Sequence, residues 1–364
     1  MKFRCERDVL ADALGSAARA VSGRGASLPV LAGVRAVLVG DRLELTGSDL
    51  DLTISVELTV AGEQDGTIVI PAKLITDVVK ALEPGAVTLS TDDDQLTVEA
   101  GRSEFSLRLI PADEFPQLPT PAENAVTLEA PRFAAALKQV VTAASSDDSR
   151  PILTGVLLAA EGDGLRLVAT DSYRLSVRDL SGTSVLEEGQ SVLVPSRALQ
   201  EVIRLLDSDG EVILRLGDRD VTFEVGSTQL SSRLIEGDFP NYRGLIPDSH
   251  PNLLTVSREV LLDALRRVKL MAREATPVRL IMSEGQVELV AVTQDVGQAH
   301  EAVDAQYDGT DMTVAFNPDY LFEGVDASVG DEVVLRTIDE LKPALLGPVE
   351  DDGFLYLLMP VRVS

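Results

Sequence analysis

The chain has 364 residues, enough for two or three domains, and its single cysteine, Cys5, excludes an intrachain disulfide and suits a reducing compartment. No apolar run approaches the roughly 18 residues of a membrane span, and the start Met1-Lys2-Phe3-Arg4-Cys5-Glu6-Arg7-Asp8 lacks the apolar stretch of a signal peptide, so a cytoplasmic location is expected. As bulk figures, a net charge of −27 argues against nucleic acid as a partner, and the absence of tryptophan argues against broad base-stacking platforms.

Taken in chain order, a helix is expected over residues 7–20. Leu28-Pro29-Val30-Leu31-Ala32-Gly33-Val34 leads into a hairpin with a turn at Gly40-Asp41 and a second strand at Leu43-Glu44-Leu45-Thr46. A helix over 71–83 opens with Pro71-Ala72-Lys73, proline being favoured near a helix start. Strands follow, closing with Phe105 to Ile110 and then Glu114-Phe115-Pro116.

The same order then restarts. A helix over 131–145 places Phe133, Leu137, Val140, Val141 and Ala144 on one apolar face. Arg150-Pro151-Ile152-Leu153-Thr154-Gly155-Val156 leads to a turn at Gly162-Asp163-Gly164 and the strand Leu165 to Val168. The helix over 196–207 follows Pro195, and the strands end with Leu230 to Ile235 and Asp238-Phe239-Pro240. In the third pass the helix spans 257–273, Thr276-Pro277-Val278 leads to a turn at Glu284-Gly285, and Asn317-Pro318-Asp319 opens the helix over 317–327. The strand from Phe354 to Met359 comes last.

Pro29, Pro151 and Pro277 lie 122 and 126 residues apart, too far for a solenoid period, so the repeats are whole domains. Helices interleaved with short antiparallel strands give α+β modules, each with two helices packed on antiparallel sheet. Module bounds of 1–120, 127–246 and 253–364 are expected, with linkers near 119–126 and 246–252 that are rich in proline and polar residues.

The charge is unevenly divided. The six helical segments together carry about +2 of the total of −27, so the rest of the chain holds about −29. Such a chain can be acidic outside and mildly basic along one helical surface. Lys73 and Lys80 lie two turns apart on one helix face, Arg197 and Arg204 repeat that spacing, and Arg266, Lys269 and Arg273 fall at i, i+3, i+7. Rows of phosphate contacts are one reading. Local salt ladders are the other, with Asp77 between the lysines and Glu201 between the arginines, and spacing alone favours the ladders. In the third repeat Tyr320 and Ala327 occupy the equivalent places.

Several marks run the length of the chain: Met1-Lys2-Phe3, Leu28-Pro29-Val30-Leu31, Leu45-Thr46-Gly47-Ser48-Asp49-Leu50, Val168-Ala169-Thr170-Asp171-Ser172-Tyr173-Arg174-Leu175, Gly237-Asp238-Phe239-Pro240-Asn241-Tyr242-Arg243 and Leu358-Met359-Pro360-Val361-Arg362. In this order and spacing they resemble the bacterial sliding clamps, the beta subunits of DNA polymerase III. The resemblance implies two three-module chains joined head to tail in a six-domain ring, with helices lining the hole and sheets outside.

It also implies a non-catalytic processivity factor on double-stranded DNA, nucleoid-associated, with no cofactor and no metal. The implied partners are a second copy of the chain, the alpha-type subunit of the replicative polymerase, a clamp-loader complex that supplies ATP-driven opening, and other polymerases and repair proteins carrying linear peptide motifs. A membrane is not among them. The helical cations become candidates for phosphate contact without sequence preference: Arg19, Arg24, Lys73, Lys80, Lys138, Arg150, Arg197, Arg204, Arg266, Lys269 and Arg273.

The family's peptide cleft, between its second and third domains, maps onto Arg150, Leu153, Thr170, Tyr173, Arg174, Leu175, Pro240, Leu245, Tyr320, Leu358, Met359, Pro360, Val361 and Arg362. Leu, Pro, Met and Tyr would supply an apolar groove and arginine directional donors at its rim. Ser172-Tyr173 stands where some members have Gly-His, which should alter the pocket wall. The family's dimer contact maps onto Arg102, Phe105, Leu107 and Arg108 on one edge strand, and onto Leu270, Met271, Asp295, Glu301 and Asp304 on the other side. Such a contact is heterologous and covers two strand edges.

Two rival readings remain. An enzyme would need a motif, and neither a phosphate-binding Gly-x-x-x-x-Gly-Lys loop nor a Gly-x-Ser-x-Gly elbow is present. His250 and His300 have no metal-ligand spacing with Cys5. Asp171 corresponds to Asp49 of the first repeat, which fits a turn or cap better than a catalytic carboxylate, and Asp92-Asp93-Asp94 fits a solvated turn. An acidic scaffold that docks partner peptides without encircling DNA would share the repeats, and retention on closed circular DNA separates it from a ring.

Overall fold

The computed structural model describes residues 1–21, 28–118, 120–206, 210–272, 276–294, 296–351 and 353–362. Among the described residues six α-helices lie where the periodicity falls: α1 Arg7–Ala18, α2 Ala72–Ala81, α3 Ala130–Val141, α4 Ser196–Leu205, α5 Arg258–Lys269 and α6 Pro318–Ala327. α1 buries Leu10, Leu14 and Ala17, and α5 buries Leu261, Leu265 and Val268, the i, i+4, i+7 stripe that apolar spacing dictates. α1 packs on α2, and α5 on α6. Most helices are shorter than expected. α3 stops at Val141, so Ala144 lies beyond it and Ala143 is the buried residue there.

Pro71 and Pro195 do not enter the first helical turn. They end the strands Gly66–Pro71 and Ser191–Pro195, opposite Gly33 and Gly155. Lacking an N–H, proline costs least at a strand end. Pro318, by contrast, takes the first helical position, and Asn317 caps the helix by accepting the N–H of Asp319 at 2.8 Å and of Tyr320 at 3.3 Å.

The three hairpins form as expected, joining Gly33–Val39 to Arg42–Ser48, Gly155–Glu161 to Gly164–Thr170 and Val278–Ser283 to Gln286–Thr293. Asp93 and Asp94 make the hairpin turn between strands Ala86–Asp92 and Gln95–Ala100.

The chain divides into two compact units, one of residues 1–131 with 204–234, the other of 132–203 with 235–364. The first holds a five-stranded and an eight-stranded sheet, the second a twelve-stranded succession. This division cuts the second repeat. Strand Thr228–Arg233 pairs with Leu52–Thr59 of the first repeat, Leu230 opposite Ile54. Strand Arg174–Leu180 pairs with Phe354–Leu358 of the third, Leu175 opposite Leu357. Main-chain ladders therefore run across both repeat borders, and their continuity decides which segments are compact together.

Gly47 has a steric role. A Cβ there would lie 2.0 Å from the Ala17 carbonyl oxygen of α1, a backbone atom that cannot swing aside. Gly47→Ala must lift α1 from strand Arg42–Ser48, at a cost of about 1–3 kcal/mol. The expected result is a lower denaturant midpoint for the first unit, and an unchanged midpoint would contradict this packing.

Candidate functional site

Where strands Arg174–Leu180 and Phe354–Leu358 meet, the two-residue period of a strand sorts side chains onto two faces. Leu175, Val177 and Leu357 join Val168, Tyr242 and Leu345 in a buried apolar cluster, with Phe239 and Ile246 packed on it. Ser176 and Tyr356 are on the other face, against the helices. Ser176 Oγ donates to the Gln139 carbonyl of α3 at 2.8 Å. The Tyr356 ring lies so close to Gly324 of α6 that a Cβ there would come within 2.6 Å. By the same period Arg174 and its ladder partner Leu358 share this helix-side face. Residues expected to line one cleft are thus divided between two faces, and the buried Leu358 packs under the helices.

Of the expected cleft residues, four apolar ones are exposed: Tyr173, Leu245, Met359 and Val361, at 60%, 52%, 40% and 38%. They extend from the ordered elements around the cluster. Met359 donates its N–H to the Tyr173 carbonyl at 2.9 Å, and Val361 donates to the Ala315 carbonyl at 2.8 Å. Leu245 ends the short turn Arg243–Leu245 that follows Tyr242. Pro240 is exposed, Pro360 half-buried, and Leu153 buried in the turn Pro151–Thr154. Beside Val361, an open cavity of about 590 Å³ is bounded by Arg279, Thr313, Ala315, Glu340, Leu341 and Arg362.

The loop between strands Gly164–Thr170 and Arg174–Leu180 is built by Asp171. Its Oδ1 accepts the N–H of Tyr173 at 2.9 Å and of Arg174 at 3.0 Å. Asp49 does the same for Asp51 and Leu52 at 3.1 and 2.8 Å, so the two aspartates are equivalent turn-formers. Each loop puts a non-glycine residue at positive φ, Ser172 at +84° and Leu50 at +81°. This is a conformation that glycine adopts at least cost. Buried Thr170 donates its hydroxyl to the Arg174 carbonyl at 2.6 Å.

Arg174 is not a rim donor. It is buried, its Nε–H donates to Asp171 Oδ2 at 3.1 Å, and its Nη groups donate to Glu323, to the Tyr356 hydroxyl at 3.1 Å and to the Thr142 carbonyl at 2.5 Å. Its guanidinium sits 4.2 Å from the centroid of the half-buried Tyr320 ring. Burial disfavours its charge, but Tyr356 and Glu323 outweigh this and raise its pKa. Burial, then the Asp171 charge, pushes the Tyr320 hydroxyl above its ordinary range. Arg150 is exposed yet tied to its own loop, donating to Asp147 at 3.0 Å and Ser172 at 3.3 Å.

The helical cations fall into groups. Lys73 and Lys80 are exposed, and neither makes an ion pair among the described residues, so the ladder through Asp77 does not form. Lys138, Arg197 and Arg204 are also exposed, but each has a partner interaction within the chain, as has the half-buried Arg19. Glu201, which the salt-ladder reading places between Arg197 and Arg204, is buried and has a partner interaction within the chain. In α5, pairing is explicit: Arg266 with Asp263 at 2.7 Å and Lys269 with Asp319 at 2.5 Å. Both cations also lie over Phe322 of α6, at 5.5 and 5.0 Å. α6 therefore supplies an aromatic shelf where the other second helices supply cations. Arg24 and Arg273 lie outside the described residues.

Strand Ser103–Arg108 is an edge of the five-stranded sheet. Phe105 and Arg108 are exposed along it and Arg102 precedes it. Leu107 is 3% exposed and holds the strand onto its own core, so its side chain does not face outward as expected. In the long strand Gly297–Asp308, residues 297–304 pair with Gln286–Thr293, and residues 305–308 pair with Asn252–Ser257. Among the described residues the other side of 297–304 carries no strand. Asp304 is exposed here, and Glu301 is held by Arg267 at 2.7 Å. Leu270 is 76% exposed and Met271 half-buried; Asp295 lies outside the described residues.

Three family models match the chain in succession: the DNA polymerase III beta subunit N-terminal domain over residues 1–119, central domain over 127–241 and C-terminal domain over 243–362. The chain belongs to the DNA polymerase III beta subunit family. It is 37% identical to the beta sliding clamp of Streptomyces coelicolor over the full length of both. The solved clamp from Bacillus subtilis superposes with a TM-score of 0.93 at 29% identity, covering all of both chains. That from Bartonella birtlesii, bound to griselimycin, superposes with a TM-score of 0.94 at 31% identity, again over both full chains.

The architecture is accordingly three tandem clamp modules, and the protein is a DNA sliding clamp, a non-catalytic processivity factor of DNA replication. Among the described residues no helix is long and apolar enough to cross a membrane.

Sequence reasoning left out four residues of this region: Leu357 and Tyr242 in the apolar cluster, Glu323 beside Arg174, and Phe322 under the α5 cations. Strict alternation through Phe354-Leu355-Tyr356-Leu357-Leu358 would have found Leu357, because it puts Leu357 and Leu358 on opposite faces. No local pattern ties Glu323 to a residue 149 positions away.

Proposed function

We propose that this chain works as a head-to-tail homodimeric ring of six modules around duplex DNA. In this reading it is nucleoid-associated in the cytoplasm, holding the replicative polymerase and taking its loader and other partners on the cleft of the second unit. The modules are bounded at 1–120, 127–246 and 253–364. The carrying observation is the pair of open strand edges, Ser103–Arg108 and residues 297–304, on different sheets. Two different edges make a heterologous contact that closes when the rotation is right. Arg102, Glu104 and Arg108 lie along one edge, Arg108 beside Asp94 at 3.5 Å, and Asp304 lies along the other with Glu301, which Arg267 holds. The exposed Lys73 and Lys80 then face phosphate, an electrostatic and sequence-independent contact. Tyr173, Leu245, Met359 and Val361 form the apolar surface for partner peptides, and in this reading griselimycin, which the Bartonella birtlesii relative binds, is a ligand for that same surface.

Topology is the test. Protein loaded on nicked circular DNA is expected to remain at high salt and to leave once the circle is cut, whereas contact-only binding weakens with salt on both substrates. Equal loss from circle and line would overturn the ring and favour a peptide-docking scaffold.

A further inference from the structure

We propose that Arg174 is the positioning residue of the docking cleft, and that Glu323 of α6 is the residue that holds it in place. The inference rests on reading that cleft as the partner site. Four guanidinium N–H donations are committed inside the chain, to Asp171, Glu323, Tyr356 and the Thr142 carbonyl. These belong to four separate pieces of structure: the 171–173 loop, α6, the strand Phe354–Leu358 and the chain just past α3. The planar fork can join all four because its donors diverge in fixed directions.

The consequence reaches the surface through the backbone. Arg174 faces Leu358 in the ladder. Tyr173 and Met359, the next residues outward, are joined by the Met359 N–H on the Tyr173 carbonyl. The two exposed apolar groups therefore hang on a buried anchor whose donors are all used inside the chain. Asp171 is already occupied, with Oδ1 taking two backbone N–H groups and Oδ2 the Arg174 Nε–H. Glu323, 37% exposed, is the carboxylate supplied from the third repeat, and the one that can be neutralised without unmaking the loop. When the anchor is loosened, a ligand must order Tyr173 and Met359 itself. Affinity then falls even though every side chain that meets the ligand is still present.

The test uses the full-length dimer with griselimycin as probe. Glu323→Gln keeps size and an acceptor oxygen but removes the charge, and Arg174→Lys keeps charge but loses the fork. Each is expected to weaken griselimycin by roughly 10-fold, and the double variant by less than the product of the two. A role in general stability alone would not produce the accompanying signature. Amide exchange at Met359 should accelerate about 10-fold, while the Leu230 amide in the other unit and the dimer mass stay unchanged. Unchanged affinity and exchange in Glu323→Gln, or a fully multiplicative double variant, would overturn the positioning role. If the unaltered protein fails to bind griselimycin, the cleft reading fails, and Met359 exchange still decides whether Glu323 holds the loop.

Discussion

Leu270→Asp is expected to convert the dimer into single chains. Leu270 is 76% exposed in the isolated chain, an apolar side chain directly past the C-terminus of α5. In the proposed contact it is covered by the partner's edge strand. Losing that burial costs about 1.5–3 kcal/mol, and enclosing an unpaired carboxylate in its place costs several more. A loss of about 4 kcal/mol or more lowers dimer affinity on the order of a thousand-fold. Light scattering should read one chain where the unaltered protein reads two. Since the residue is solvent-facing, unfolding of the monomer should scarcely change. Leu341→Asp, at another well-exposed leucine, beside the cavity of the second unit, is the control and should stay dimeric. A dimeric Leu270→Asp would remove this residue from the interface.

Removing residues 359–364 is expected to weaken partner docking about 100-fold while leaving the dimer whole. The deletion takes away Met359 and Val361, two of the four exposed apolar groups of the cleft, and Arg362 from the adjacent cavity. It also removes two main-chain hydrogen bonds that fix this segment on Tyr173 and Ala315. Strand Phe354–Leu358 retains its pairing with Arg174–Leu180, so the sheet survives. Two partly exposed apolar anchors are together worth about 3 kcal/mol when a ligand covers them, a loss of roughly 100-fold in affinity for griselimycin. Undiminished affinity would place the ligand elsewhere, and a monomeric product would show that the segment serves assembly instead.

Both predictions draw on residues legible from the sequence, but in different ways. Met359 and Val361 are visible because they follow a strand-like run in a mark shared with the family. Leu270 and Phe105 emerge only through that family likeness, as no local rule says which exposed leucine meets a partner. Leu107 shows the limit. Phe105 and Leu107 are two residues apart and so share one face of the edge strand, yet Leu107 is buried while Phe105 is 41% exposed, a difference that strand period cannot supply and that depends on where the core reaches. Arg174 shows the limit more sharply. An arginine in a motif beside a groove invites the role of rim donor, and only the approach of α6 and strand Phe354–Leu358 reveals that its donors are already used.

The sequence by itself determined the three-fold repeat, the six helices, the hairpin turns and the gathering of acid outside the helices. Each of these follows from local period, turn chemistry or counting. It also determined that Asp171 is a turn-former, because its counterpart Asp49 occupies the same step of another repeat. The tertiary structure decided what pairs with what. It divided the second repeat between two compact units, since hydrogen-bonded ladders cross the repeat borders and a ladder partner leaves no mark in local composition. It placed Glu323 on Arg174 and Phe322 beneath Arg266 and Lys269, contacts set by how α6 packs and not by spacing along the chain. The basic pair missing from the third repeat's second helix is answered in the same way, by an aromatic ring that holds cations borrowed from α5.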